Sequence, residues 1–304
     1  MTAERTAFAV GIAILVIALA AATWVLTAPR GIDPETARAV LAPGDPVAGR
    51  IVFFLAGCES CHQSPGQSDP LRLGGGQELK TPFGSFFPPN ISPDRQDGIG
   101  GWSAQDFANA LMAGVSPAGR HLYPAFPYPS YARMSVRDVR DLYAFLRTAP
   151  PVPGRAPPNA LAFSFSIRRA VGFWKLLYMP TVAHPLAEDP HDPEARGRYL
   201  VEGPGHCGEC HSPRTFLGGM IASRRLTGAP LPEGKGKSPN ITAAGLADWS
   251  ESDIAYALST GLTPSGDSLG GPMAAVVRNL SQVPQDDLAA IAHYLKTFKS
   301  GPGA

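Results

Sequence analysis

All four cysteines of this 304-residue chain belong to two copies of one pattern, Cys-x-x-Cys-His. The first copy runs from Cys58 to His62 (CESCH) and the second from Cys207 to His211 (CGECH). Two thiols one helical turn apart can add to the two vinyl groups of one porphyrin, and the adjacent imidazole then lies under the iron. The pattern predicts two covalently bound haem c groups, held by Cys58, Cys61, His62, Cys207, Cys210 and His211, with the two histidines as iron ligands.

Two other uses of paired cysteines fit the spacing poorly. A zinc site would separate its Cys-x-x-Cys pairs by roughly 15 to 20 residues, whereas residues 61 and 207 are far apart and each pair has its own histidine. A thioredoxin-like dithiol would be a single motif in a βαβ unit, without a histidine after both copies. One-electron transfer by haem iron is therefore the chemistry that this sequence favours.

Length and charge restrict the remaining possibilities. A chain of 304 residues suggests about two domains, and its net charge of +1 gives no field that would attract nucleic acid. The 33 glycines and 32 prolines fall mostly between periodic segments. We therefore expect a loop-rich protein packed around haem, with no nucleic-acid partner.

The N-terminal segment predicts a membrane anchor. Residues Ala7 to Thr27 carry no charge, and a helix of this length, about 31 Å, is long enough to cross the hydrocarbon core. The alternative is a cleaved secretory signal, but its apolar part of about 7 to 15 residues would be shorter. Because haem c is attached on the outer side of the bacterial inner membrane, we expect a single-pass protein with residues 30 to 304 in the periplasm.

An internal repeat with an offset of 147 to 150 residues organises the rest of the chain. The matching pairs are Pro89–Ser92 with Pro239–Thr242, Trp102–Ser103 with Trp249–Ser250, and Gly114–Gly119 with Gly261–Gly266. The repeat therefore predicts two homologous haem domains.

Each repeat has the same predicted helix order. Asp45-Pro46 and Asp192-Pro193 are start signals for a helix that leads into each haem motif. Further helices are expected from Ser103 and Ser250, and from Ser135 and Pro284. A helix before the haem and one at the end is the class I cytochrome c arrangement.

The predicted fold is thus mainly α, with two tandem class I cytochrome c domains after a transmembrane helix. We divide the chain into an anchor (1–30), a first domain (31–150), a proline-rich linker (151–190) and a second domain (191–304). The linker contains an apolar segment interrupted by Arg168, Arg169 and Lys175, which argues against a second span. We expect it to pack on both domains, with docking to a partner or to membrane headgroups as the alternative.

The sixth iron ligand differs between the repeats. In the second repeat Met273 stands about ten residues before the last helix, where a loop can cross the haem. In the first repeat Phe126 occupies the matching position and cannot bind iron. Met134 is the nearest thioether, with His121 as a competing ligand, and Met112 is expected in the core. Paired His and Met ligands raise the potential relative to two histidines.

Other repeated polar or aromatic residues leave their roles open. Trp102 and Trp249 could donate to haem propionates or simply pack beside the haem. Asn90 and Asn240 are expected to fix loops, with support of a propionate or ligand as the alternative. Four histidines without a repeated partner are expected at the surface or in the core: His184, His191, His206 and His293.

Three blocks of sequence resemble the multihaem cytochrome c subunits of membrane-bound alcohol, aldehyde and gluconate dehydrogenases. The blocks are Leu71–Asp94, Gly119–Leu146 and Gly197–Gly203, and the resemblance covers roughly residues 45 to 300. Many members of that family carry three haems, whereas this chain has motifs for two.

The resemblance implies a function, partners and one ligand. It implies an electron-transfer subunit, not an enzyme, that accepts electrons from a periplasmic dehydrogenase subunit and passes them to quinone, a soluble cytochrome or a terminal oxidase. It also favours Met134 as the sixth ligand of the first haem. The alternative function is a dihaem peroxidase, which would need an open sixth position on one iron.

Overall fold

The computed structural model describes residues 3–179, 186, 189, 191–231 and 236–301. His184 and most of the linker between 180 and 190 lie outside the described residues. Helix α1 (Ala3–Leu26) covers most of the predicted span and lies entirely outside the protein core. Its segment Arg5–Leu26 has a mean hydropathy of 2.6, and in the described part of the chain it is the only helix long and apolar enough to cross a membrane. A short helix, α2 (Pro34–Ala39), follows.

The first repeat is built from five helices and a small hairpin. In chain order these are α3 (Pro46–Leu55), α4 (Cys58–His62), β1 (Leu79–Thr81), β2 (Gly84–Phe86), α5 (Ala104–Ala113), α6 (Tyr128–Tyr131) and α7 (Val136–Leu146). Helices α3 and α7 pack across each other, and α3 also contacts α4, which carries the haem motif.

The segment between the repeats continues along the surface of the first one. It contains β3 (Ala160–Leu161), α8 (Phe163–Ser166), a 3-10 turn (Arg168–Ala170) and α9 (Val171–Tyr178). Strand β3 pairs antiparallel with β2, and Asn90 Nδ2 donates to the carbonyl oxygens of Val152 (2.7 Å) and Gly154 (2.9 Å). The proline-rich stretch is therefore part of the packed surface and is not a free tether.

The second repeat has the same order of elements as the first. It contains α10 (Pro193–Glu202), α11 (Gly208–His211), a 3-10 turn (Ala222–Arg224), β4 (Ala229–Pro230), β5 (Lys237–Ser238), α12 (Glu251–Thr260), α13 (Met273–Leu280) and α14 (Gln285–Thr297). Helices α10 and α14 pack across each other as α3 and α7 do. The described residues are mainly helical, and the strands are two or three residues long, as the lack of alternating β-branched runs predicts.

The predicted helix starts are confirmed by their capping bonds. The side chains of Asp45 and Asp192 accept hydrogen bonds from backbone amides at the start of α3 and α10. Ser103 and Ser250 each form a reciprocal capping box with the aspartate three residues later. Local sequence signals therefore place the first turn of these four helices.

A glycine at one position of each repeat permits the close helix crossing. A Cβ atom on Gly49 of α3 would collide with the backbone of Asp141 and lie 2.9 Å from the Cβ atom of Phe145 in α7. A Cβ atom on Gly197 of α10 would collide with the backbone of α14 and lie 2.6 Å from the Cβ atom of Tyr294. Both repeats thus need glycine where the first and last helices touch.

We predict that Gly49→Ala lowers the free energy of unfolding of the holoprotein by about 1–3 kcal/mol, because overpacking this crossing forces the helices apart. At a helix position with free space, the same change would instead raise the free energy of unfolding by about 0.5–1 kcal/mol. The sign of the measured change therefore tests whether the crossing is close. Guanidinium unfolding of the detergent-solubilised protein measures the change. Gly101→Ala is the control, because a Cβ atom there makes only an ordinary contact, 3.6 Å from the Arg95 carbonyl oxygen.

Candidate functional site

Each Cys-x-x-Cys-His motif follows a single residue in the left-handed backbone conformation. That residue is Gly57 in the first repeat (φ 58°) and His206 in the second (φ 39°). This residue turns the chain between the preceding helix, α3 or α10, and the short helix that carries the motif, α4 (Cys58–His62) or α11 (Gly208–His211). Both thiols and the imidazole of one motif therefore lie within five consecutive residues at the start of that helix.

The imidazole of each motif is oriented by the carbonyl of a proline. The Nδ1–H group of His62 donates to the Pro89 carbonyl oxygen (2.7 Å), and that of His211 donates to the Pro239 carbonyl oxygen (2.8 Å). A neutral imidazole protonated at Nδ1 carries its lone pair on Nε2. Burial lowers the pKa of both histidines, which favours this neutral form. Each ring is therefore prepared to bind a metal through Nε2.

Neighbouring backbone hydrogen bonds hold each histidine next to its proline carbonyl. The amide of Gly75 donates to the His62 carbonyl oxygen (2.8 Å), and the amide of Gly228 donates to the His211 carbonyl oxygen (2.7 Å). Both glycines have positive φ, 69° and 89°, and lie directly against the proline segments. A side chain there would push the proline carbonyl away from the ring.

The repeated asparagines fix the loops, as expected from the sequence. Asn90 Oδ1 accepts from the Ser92 amide and Asn240 Oδ1 accepts from the Thr242 amide, each at 2.9 Å. These bonds shape the turn that presents the preceding proline carbonyl. Sequence reasoning missed the prolines themselves, although the repeated Pro-Asn-Ile segment was the available signal.

The cysteines fit thioether attachment better than thiolate chemistry. Burial raises the pKa of Cys58 and of Cys207 to about 12, and that of Cys61 to about 11, so the sulfur atoms stay uncharged. The four cysteines form no disulfide. Among the residues that the structure describes, no three His, Cys, Asp or Glu side chains form a metal-binding group. Two uncharged thiols followed by one histidine in each motif are the donor set of haem c.

The two candidate methionines occupy different surroundings. Met134 is fully buried, directly before the N-cap of α7, and its amide donates to the Tyr131 carbonyl oxygen (3.0 Å). The Tyr131 hydroxyl in turn donates to the Ala56 carbonyl oxygen (3.2 Å), just before Cys58. The segment that carries Met134 therefore lies against the first haem motif. Met273 is half-buried and is the first residue of α13.

The competing residues of the first repeat have other environments. The Nε2–H group of His121 donates to the Thr27 carbonyl oxygen (2.9 Å) at the end of α1. Met112, on α5, lies in the hydrophobic core of the protein, as expected. Phe126 packs beside the Tyr131 ring, with 5.5 Å between the centroids. Trp102 and Trp249 are both packed against the core.

The two haem motifs face each other across the interface between the repeats. The buried carboxylate of Glu59 accepts a hydrogen bond from Asn279 Nδ2 (3.0 Å) at the end of α13. The Glu209 carboxylate accepts from Ser130 Oγ (3.0 Å) in α6. Ser130 and Asn279 each lie five residues before the N-cap of the last helix of their repeat, Ser135 and Pro284, so each motif is held by the opposite repeat. Burial raises the pKa of Cys61, and the nearby Cys210 of the second motif raises it further. The two motifs therefore lie close together.

His206 connects the motifs directly, and sequence reasoning did not identify this role. Its ring Nε2–H group donates to the Ala56 carbonyl oxygen (3.1 Å), while its backbone precedes Cys207. The ring also meets the Tyr131 ring edge-on, with 5.5 Å between the centroids. The available signal was its alignment with Gly57, because a glycine at a turn indicates a left-handed backbone conformation. A histidine in that conformation needs compensating contacts.

Buried polar contacts tie the same interface together farther from the motifs. The Glu202 carboxylate is buried and pairs with Arg133 of the first repeat and with Arg225 (2.6 Å) of the second. The Tyr199 hydroxyl donates to the Asp138 carboxylate (2.6 Å) of the first repeat. One continuous hydrophobic cluster includes side chains from both repeats. The two domains therefore form one packed unit.

Comparisons with known proteins agree with this geometry. The Cytochrome c family model matches residues 47–150. A "Diheme cytochrome c-type" protein of Cereibacter sphaeroides is 50% identical over 297 residues, which cover 96% of this chain and 98% of that protein.

Two further relatives are cytochrome subunits of dehydrogenases. The fructose dehydrogenase cytochrome subunit of Gluconobacter japonicus is 36% identical over 82% of this chain and 51% of its own length. The gluconate 2-dehydrogenase cytochrome c subunit of Pantoea cypripedii is 37% identical over 82% of this chain and 58% of its own length. This chain thus spans between half and three fifths of those two relatives. All three relatives are named as cytochromes and not as peroxidases, which favours electron transfer.

We predict that Asn279→Ala destabilises the holoprotein by about 1.5–3 kcal/mol, because it removes the hydrogen bond that Asn279 donates to the buried Glu59 carboxylate. Guanidinium unfolding, followed through the haem absorption, measures the loss. Ser281→Ala, at an exposed position after the same helix, is the control. Equal stability of the two variants would contradict a contribution of this contact to the interface.

Proposed function

We propose that this chain, which belongs to the family of dihaem c-type cytochromes, receives electrons from a periplasmic dehydrogenase subunit and passes them to the respiratory chain. Family membership gives two covalently bound haem c groups and electron transfer without catalysis of its own. The dehydrogenase partner is supported by the relatives that are named as dehydrogenase cytochrome subunits. The acceptor would be quinone, a soluble cytochrome or a terminal oxidase.

The observation that best supports this proposal is the facing arrangement of the two motifs. Electrons that enter at one haem must reach the other, and transfer is fast only over short distances. Helices α4 and α11 are held together by the Glu59 and Glu209 contacts and by His206. These contacts hold the two motifs next to each other within one packed unit, as electron transfer between two haems would require.

We assign the haem-binding residues as follows. Cys58 and Cys61 would hold the first haem and Cys207 and Cys210 the second, with His62 and His211 as the iron ligands that Pro89 and Pro239 orient. Met134 and Met273 would be the sixth ligands. When bound, the haem iron supplies the one-electron chemistry. The protein supplies ligand identity, burial and the hydrogen bond to each imidazole, all of which set the potential.

We also propose that α1 anchors the protein in the bacterial inner membrane, with the haem domains in the periplasm. The length and hydropathy of Arg5–Leu26 support the anchor, and a cleaved signal is the alternative. The end of α1 is packed on the body of the protein, because His121 donates to the Thr27 carbonyl oxygen and Thr27 is buried. This packing would hold a retained anchor against the first repeat. The domain limits of 1–30, 31–150, 151–190 and 191–304 remain our prediction.

We predict that Met134→Ala and Met273→Ala each remove about half of the near-infrared band that reports methionine bound to ferric haem, because each haem would have one such ligand. Absorption spectra of the purified, oxidised, full-length protein measure the band. Met112→Ala, in the core of the first repeat, and Met220→Ala, beside Gly208 of the second motif, are matched controls and should leave it unchanged. If Met134→Ala keeps the whole band, our assignment of the first sixth ligand is wrong.

A further inference from the structure

A group of exposed apolar side chains lies on the segment that joins the two repeats. In α9 the side chains of Phe173, Leu176 and Leu177 are exposed, and their i, i+3, i+4 spacing places them on one face of the helix. The preceding segment adds exposed Phe163, Phe165 and Ile167, of which Phe163 is 84% exposed. We call these six residues the linker stripe. Clustered exposed apolar surface of this kind marks an interaction site.

The other faces of α9 are already bound to the body of the protein. Lys175 Nζ donates to the carbonyl oxygens of Ala113 (2.6 Å) and Gly114 (2.8 Å), and burial lowers its pKa to about 8. On the side of the second repeat, Trp174 Nε1 donates to the Leu217 carbonyl oxygen (3.1 Å). Because α9 cannot rotate without breaking these bonds, Phe173, Leu176 and Leu177 must face outward.

The start of α9 is fixed to the last turn of α1. Arg169 donates to Thr27 Oγ1 (3.2 Å) and to the Trp24 carbonyl oxygen, and its guanidinium carbon lies 4.1 Å from the Trp24 ring centroid. Gly172 packs on the same turn, where a Cβ atom would lie 2.7 Å from Thr27 Cβ. Tryptophan at the end of a span sits at the level of the lipid headgroups. The first turn of α9 is therefore held at that level.

We infer that the linker stripe inserts into the boundary between headgroups and acyl chains of the bilayer that α1 crosses. The inference rests on the proposed anchoring by α1. A phenylalanine- and leucine-rich face, about 5–10 Å deep in this boundary and flanked by arginine, is the usual form of an interfacial helix. Lipid is favoured over a protein partner because the stripe continues from the end of the span itself. Through Lys175 and Trp174, this second contact would hold both haem domains at a fixed height above the membrane.

A single introduced thiol tests this inference, because all four native cysteines lie in the haem motifs. Leu177→Cys and Phe163→Cys probe the linker stripe, Leu15→Cys probes the anchor, and Tyr256→Cys on α12 is the control at an exposed position of the second repeat. Each full-length holoprotein carries a polarity-sensitive fluorophore in nanodiscs of phosphatidylethanolamine and phosphatidylglycerol. The emission wavelength is compared, since quenching by haem changes only the intensity.

We expect the Leu177 and Phe163 labels to emit at a shorter wavelength than the Tyr256 label, approaching the Leu15 label. A water-soluble maleimide should also react with the two stripe thiols several-fold more slowly in nanodiscs than with the Tyr256 thiol. Lipid-like emission at Leu15 with water-like emission at both stripe positions would overturn the inference and leave the anchor intact. Water-like emission at Leu15 would instead contradict the proposed anchor.

Discussion

Each haem motif carries a glutamate whose carboxylate is held by the opposite repeat. Asn279 binds Glu59 and Ser130 binds Glu209, so each motif helix has part of its hydrogen bonding supplied by the other repeat. A carboxylate that is buried without donors would cost several kcal/mol. The rest of the interface follows from this constraint, since His206 then lies within reach of the Ala56 carbonyl oxygen. The distance between the two redox centres is thereby built into the packing of the two domains.

The features that the sequence could predict are local ones. Asp45-Pro46 and Ser103 start helices through bonds to amides two or three residues away, and the Cys-x-x-Cys-His spacing is a property of one turn. Gly49 and Gly197 could have been found as a repeated pair, but only the crossing of α3 with α7 and of α10 with α14 explains why a side chain is excluded there. Repetition within the chain supplied what a single motif could not, namely the number of domains.

The features that the sequence could not predict join residues far apart in the chain. Glu59 and Asn279 are separated by most of the protein, and nothing in either short segment specifies the other. The proline carbonyls were missed because a backbone oxygen has no residue type to recognise. His206 was expected to lie at the surface or in the core, yet its unusual backbone conformation and its bond to Ala56 place it between the motifs. Such contacts depend on how the two repeats dock, and a repeat alone does not encode that.

Circular dichroism in the Soret region tests most directly the claim that two haems face each other within one unit. For the reduced, full-length protein we expect a band with one positive and one negative lobe, because two nearby, fixed porphyrin transitions couple. Unfolding in guanidinium, which leaves the thioether bonds intact, should abolish this shape. A single-signed band in the folded protein, unchanged in form on unfolding, would contradict the facing arrangement.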